Sequence, residues 1–112
     1  MAGTKIVVMY PQSKDIEAFE KEYKEVHLPM AAEKLKGVSR FVATKVVGSP
    51  LGAPPFCRIA EIHFSSVEAL QACLSSQGDR ETAAHAMSIS TGGAPAFFCL
   101  AKRRAWPSIQ SD

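Results

Sequence analysis

The first dozen residues, MAGTKIVVMYPQ, hold an apolar run of only five, between Lys5 and Pro11. A membrane span needs about 20 and a secretory core about 7 to 15, so neither is expected, and the reading is a cytoplasmic protein without a membrane partner. Cysteine is scarce and scattered. Cys57, Cys73 and Cys99 are odd in number and far apart, which excludes a C-x-x-C knuckle and a disulfide framework and leaves buried free thiols. Strong charge is missing as well: the formal net charge is +2, and the only basic cluster, Lys102-Arg103-Arg104, is followed by one tryptophan and nothing more that is basic or aromatic. Nucleic acid is therefore not an expected partner. The chain has no internal repeat, no low-complexity segment and no G-x-G-x-x-G turn after a strand, hence no flavin or nicotinamide fingerprint. His27, His63 and His85 show no H-x-x-x-H or paired-ligand spacing, so no metal is expected. A haem needs a single axial histidine, which leaves that option open.

What is present fits one soluble globular domain. Of 112 residues, 46% are hydrophobic and 21% charged, the profile of an ordinary folded chain. TKIVVMY (4 to 10) reads as a first strand. SKDIEAFEKEYKEVHLPM follows as a helix capped by Ser13 or Asp15, with Ile16, Phe19, Tyr23, Val26, His27 and Met30 near one face. Its Glu17/Lys21 and Glu20/Lys24 pairs mark a solvated side, and Gly37 stops the segment. VSRFVATKVV (38 to 47) and FCRIAEIHF (56 to 64) read as two strands of a hairpin joined by the turn-rich GSPLGAPP. In SSVEALQACLSS, Ser65 and Glu68 have capping-box spacing ahead of a second helix. GDRETAAHAMSIS carries one short, weak helical turn, and APAFFCLAKR is the last strand after TGG. The domain spans 1 to 104, with a tail over 105 to 112.

The order β, α, β, β, α, β is that of a ferredoxin-like α+β fold: a four-stranded antiparallel sheet with two helices on one face. In the third strand Phe56, Arg58, Ala60, Ile62 and Phe64 share the helix side, and Cys57, Ile59, Glu61 and His63 the other. The second face has nothing of its own chain to cover it. A homodimer through that open face, closing two sheets into a dimeric α+β barrel, is the expected solution.

Several pieces then fall into a known order. VVMYPQ, AFEKEYKEVHLP, PPFCRIAEIHFSSVEALQACLSS and STGG resemble, in spacing and sequence, the EthD-like family, named for ethyl tert-butyl ether degradation. The likeness lies in Tyr10-Pro11, the Phe19-x-x-x-Tyr23-x-x-x-His27-x-Pro29 helix, Ala60-Glu61 and Gly92-Gly93, and it covers nearly the whole chain. It implies the dimeric α+β barrel superfamily, shared with small monooxygenases, muconolactone isomerase-like enzymes and polyketide-cyclase-like proteins. Family members occur in ether-degradation gene sets beside a cytochrome monooxygenase system. Some are labelled reductases, a label this sequence does not support. His85 stands where similar sequences commonly have an acid.

His27 and Tyr23 lie four residues apart on the inward helical face, and both match the family's helix motif. Pro29 lacks an N–H and clashes with the carbonyl of Glu25, so it is expected to kink or end the helix after His27 and lift the chain off the sheet. The resulting gap would admit a small hydrophobic molecule, with His27 as general acid/base and Tyr23 as an orienting hydroxyl. The bland alternative is a core histidine with a packed tyrosine ring. Tyr10, Met30, Glu61 and His63 are the expected substrate-binding residues. Glu61 would orient a histidine, act as a base or, by preference, pair across the dimer, and Arg58 is expected to snorkel to solvent. Two functions remain open: a cofactor-independent isomerase, cyclase or oxygenase acting on an oxygen-bearing apolar catabolite, or a non-catalytic accessory protein that carries such a molecule for a partner oxygenase.

Overall fold

Thr4, Ile6, Val8 and Tyr10 alternate with half-buried neighbours along the first strand, and that alternation decides which side of the sheet receives the helices. The computed structural model describes residues 3 to 101. Strand β1 (Thr4–Pro11) lies between β3 (Phe56–Phe64) and β4 (Ala96–Ala101), and β2 (Arg40–Lys45) closes the other edge, giving the order β2-β3-β1-β4. Every pairing is antiparallel. Ile6 faces Ile62, Val8 faces Ala60 and Tyr10 faces Arg58, so these residues share the helix side. Ile59, Glu61 and His63 share the opposite face, as expected, together with Lys5 and Val7; Cys57, expected beside them, is instead buried with the core, where the β1–β3 register slips at Tyr10–Pro11. The β2–β3 hairpin is present, with β2 shorter than the 38-to-47 reading. The tail, Trp106 and the basic cluster at 102 to 104 lie outside the described residues.

The first helical run does not end at Pro29. It passes from α1 (Ile16–Glu22) through a π-helical turn (Tyr23–His27) into α2 (Leu28–Lys34). The Leu28 N–H reaches back five residues to the Tyr23 carbonyl, and Pro29 falls at the start of α2, where the regular i to i+4 ladder is already interrupted. The misfit is thus absorbed by one wide turn instead of a stop. Asp15 caps α1, accepting the Ala18 N–H at 3.1 Å.

Two further helices, not one and a weak turn, follow β3. In α3 (Val67–Leu74) the cap is Ser66, which accepts from Ala69, and not Ser65. The segment read as a weak turn is α4 (Gln77–Ile89), 13 residues capped by Ser76. Its buried residues Thr82, Ala86 and Ile89 form an inward stripe that the surrounding polar residues mask in the sequence. Glycine lets α4 approach α2: a Cβ on Gly78 would stand 2.3 Å from the Lys34 carbonyl oxygen. A second close approach joins the two ends of the fold. A Cβ on Gly92 would fall 1.6 Å from the Gln12 carbonyl oxygen, and Thr91 Oγ1 beside it bonds Ser13 Oγ at 2.7 Å and accepts the Lys14 N–H at 3.1 Å.

Arg58 does not snorkel. It is buried, its Nε donates to Glu20 Oε2 at 3.2 Å, its second nitrogen bonds Glu20 Oε1, and its guanidinium lies 4.9 Å from the centre of the Tyr23 ring. Glu20, read as part of a solvated flank with Lys24, is drawn inward over the sheet by this forked pair. Burial alone would raise its pKa, and the hydrogen bond and charge of Arg58 reverse that to a net lowering.

Candidate active site

Between α2, α4 and the helix side of the sheet lies a cavity of about 250 Å³. Ile6, Val8, Ala60 and Ile62 form its floor, Ala31 and Leu35 one wall, and Phe97 and Cys99 of β4 reach its rim. The gap expected beside His27 is there. Among the lining residues Tyr10, His27, Asp79 and Thr82 carry polar groups. The Thr82 hydroxyl is committed to its own helix, donating to the Gly78 carbonyl at 2.7 Å.

Tyr10 and His27 meet at one end of this space, 1% and 5% exposed. Tyr10 Oη lies 3.2 Å from His27 Nε2. His27 Nδ1 lies 2.9 Å from His85 Nδ1, and His85 Nε2 lies 3.2 Å from Glu22 Oε2. Four side chains from β1, the π turn, α4 and α1 therefore form one continuous chain from the cavity to the half-exposed Glu22. Ring packing holds it. Phe19, Tyr23, His27 and His85 stack in sequence at 5.6, 5.6 and 5.2 Å between centres, within 21° of parallel. Tyr10 stands steeply against the first three, at 5.3, 5.4 and 6.3 Å, in the tilted and edge-to-face contacts that aromatic rings favour.

Burial sets the protonation states. His27 is pushed down to about 4, first by burial and then by His85 beside it, so it is neutral at ordinary pH. Burial, with Tyr23 and Cys57 nearby, pushes the Tyr10 phenol well above its ordinary value. Tyr23 is pushed up to about 12, burial again leading. At the far end of the cavity Asp79 is raised by burial against a smaller opposing effect of Arg80.

The expected site residues divide. His27 and Tyr10 line the cavity. Tyr23 does not: it is fully buried in the ring stack, and its hydroxyl has no hydrogen-bond partner among the described residues, so it is no orienting hydroxyl for a molecule in this cavity. Met30 is half-buried on α2 and outside the lining. Glu61 and His63 occupy the opposite face of the sheet and cannot reach the cavity. There Glu61 bonds Lys5 Nζ at 3.0 Å and lies 3.4 Å from His63 Nε2. The Lys5 hydrogen bond leads in lowering the Glu61 pKa, the reverse of a raised base, and the pair forms within one chain. Glu22 and Asp79 escaped the sequence reading, and His85 received no role there. Only a defined inward face for α4 would have pointed to Asp79 and His85, and nothing in the sequence links Glu22 to a histidine 63 residues away. No group of three or more His, Cys, Asp or Glu among the described residues is placed to hold a metal ion.

Neither a family profile nor a curated protein matches the chain. Solved structures do. An ethyl tert-butyl ether degradation (EthD) family protein of Bacillus halodurans C-125 is 25% identical, with a TM-score of 0.80 over 87% of this chain and 95% of that one. The chain resembles this EthD family protein in fold and sequence. A second EthD-like protein, from Ralstonia eutropha JMP134, is 24% identical, with a TM-score of 0.65 over 88% of this chain and 90% of that one. The cofactor-independent oxygenase SnoaB of Streptomyces nogalater is 13% identical, with a TM-score of 0.60 over 96% and 98%. At that identity the likeness is one of fold. The EthD-like chain thus has the ferredoxin-like architecture read from its sequence, and among the described residues no helix is long and apolar enough to cross a membrane.

Proposed function

We propose that this EthD-like protein is a cofactor-independent acid/base enzyme acting on a small apolar molecule with a carbonyl or enol oxygen. The carrying observation is the Tyr10–His27 hydrogen bond at one end of an otherwise largely apolar cavity. An apolar lining selects an apolar body, and a few convergent polar groups orient it. Both His27 nitrogens are engaged, so Tyr10 Oη is the atom offered to the substrate. It accepts a proton from the acidic C–H or O–H of the substrate while passing its own to His27 Nε2. His27 is the general base acting through Tyr10, and the reaction class is isomerisation or cyclisation. SnoaB supports the reading to the extent that a similar fold hosts chemistry without a cofactor. The proposal includes a cytoplasmic homodimer formed through the open sheet face.

Exchange of the protons next to a carbonyl, followed by proton NMR in deuterium oxide, tests this with α-tetralone, β-tetralone and an aryl butenolide. Native protein is expected to accelerate exchange in at least one of them, and Tyr10→Phe and His27→Gln to slow it by about 10² to 10⁴. If native protein binds these molecules and exchanges none, the enzyme reading fails, and the accessory carrier takes its place.

A further inference from the structure

The hydrogen-bonded chain has a direction, and one residue sets it. A carboxylate only accepts hydrogen bonds, so Glu22 Oε2 must receive the proton of His85 Nε2. With one proton on its ring, His85 has a bare Nδ1, which accepts from His27 Nδ1–H. That leaves His27 Nε2 bare, and it accepts the Tyr10 hydroxyl proton. With one proton on each ring, every link sets the next. The two histidines hold opposite tautomers, and the lone pairs of Tyr10 Oη are left for the cavity.

We infer that Glu22 fixes this polarity, that His85 is the positioning residue for His27, and that together they carry protons between the cavity and the surface. The inference rests on the acid/base reading of the cavity. One proton enters at Tyr10 Oη from the substrate. The Tyr10 proton moves to His27 Nε2, the Nδ1 proton of His27 moves to His85 Nδ1, and the Nε2 proton of His85 moves to Glu22 Oε2. With one proton on each ring before and after, the negative charge that Glu22 gives up is carried by the deprotonated substrate at the Tyr10 end of the cavity, and none is left on the histidines between. The low pKa of His27 agrees with this, since a lasting imidazolium there is disfavoured.

The relay also selects the reaction. After one passage both tautomers are reversed, and resetting them independently would require both rings to turn over. His27 is wedged between Tyr23 and His85 in the stack, so the ready route back is the return of the proton from Glu22 to the bound molecule. A chain that takes a proton and gives it back serves an isomerisation or a cyclisation whose product carries the same atoms as its substrate. Net hydrolysis gains nothing from it.

Imidazole nitrogen NMR of nitrogen-labelled protein, without any ligand, reads the tautomers directly. His27 is expected to carry its proton on Nδ1 and His85 on Nε2. Glu22→Gln replaces an obligate acceptor by an amide that donates as well as accepts, and both rings are expected to become mixtures. Glu22 is half-exposed, so the variant is expected to stay folded, which thermal unfolding checks. Exchange of the tetralones is then expected to slow at least about tenfold in Glu22→Gln and in His85→Gln. A native His27 with its proton on Nε2, or tautomers unchanged in Glu22→Gln, overturns the inference even where exchange by native protein is intact. Expected tautomers with no exchange by native protein instead defeat the acid/base reading, and the proton traffic with it.

Discussion

Asp79 is a carboxyl in the first turn of α4 that lines an apolar cavity and accepts no hydrogen bond from a described residue. Ser76-x-x-Asp79 has capping-box spacing, yet the Ser76 N–H is already given to the Cys73 carbonyl at 3.0 Å, so the acid is not needed there. Burial raises its folded pKa. A group with a raised folded pKa stabilises the fold below its unfolded pKa, and that contribution is lost as pH rises through the folded pKa. Asp79→Asn is therefore expected to raise Tm at about pH 7 and to lose that advantage at about pH 3, as thermal unfolding at the two values would show. A group retained against stability inside a cavity is the usual mark of a functional site. The forked Arg58–Glu20 pair beneath Tyr23 is the opposite case, two charges that satisfy each other. Arg58→Ala is expected to cost about 3 to 5 kcal/mol in denaturant unfolding, because it leaves a largely buried carboxylate with only the longer, 3.8 Å contact to exposed Lys24.

At the scale of elements, close backbone approach matters more than propensity. Gly92 seats its loop on the β1–α1 connection, with no room for a methyl group against the Gln12 carbonyl. Gly92→Ala is expected to destabilise by about 1 to 3 kcal/mol through the forced shift, measurable by urea unfolding. Local patterns in the sequence reached most of these elements. Alternation in β3 assigned both sheet faces except at Cys57, which the register slip turns into the core, and the helical spacing of Phe19, Tyr23 and His27 assigned the inward stripe. What failed was whatever depends on partners distant in the chain. Arg58 looked like a snorkelling side chain until Glu20 met it, and Tyr23 looked like the site hydroxyl until the π turn stacked it away from the cavity. His85 lay in a segment too polar to show its inward face. The histidine of the site was legible from its spacing and family motif; its tyrosine partner was expected only as a binding residue, and its acid not at all.

For the whole molecule, the face opposite the helices remains half uncovered. Phe98 and Leu100 are 50% and 43% exposed there, beside Val7 and Lys5 of β1. Apolar side chains grouped on one sheet face are the mark of an association surface. With the proposed dimer, Phe98→Glu is expected to shift the species seen by light scattering from dimer to monomer; a native protein that is already monomeric would refute the dimer. Two elements of the site also have an optical consequence. The chain contains two tyrosines and no more, and both stand against the ring of His27. Its tyrosine near-ultraviolet band therefore arises wholly from the ring stack at His27, so that with Trp106→Phe, which removes the overlapping indole band, absorption becomes a built-in reporter of what enters the cavity at Tyr10.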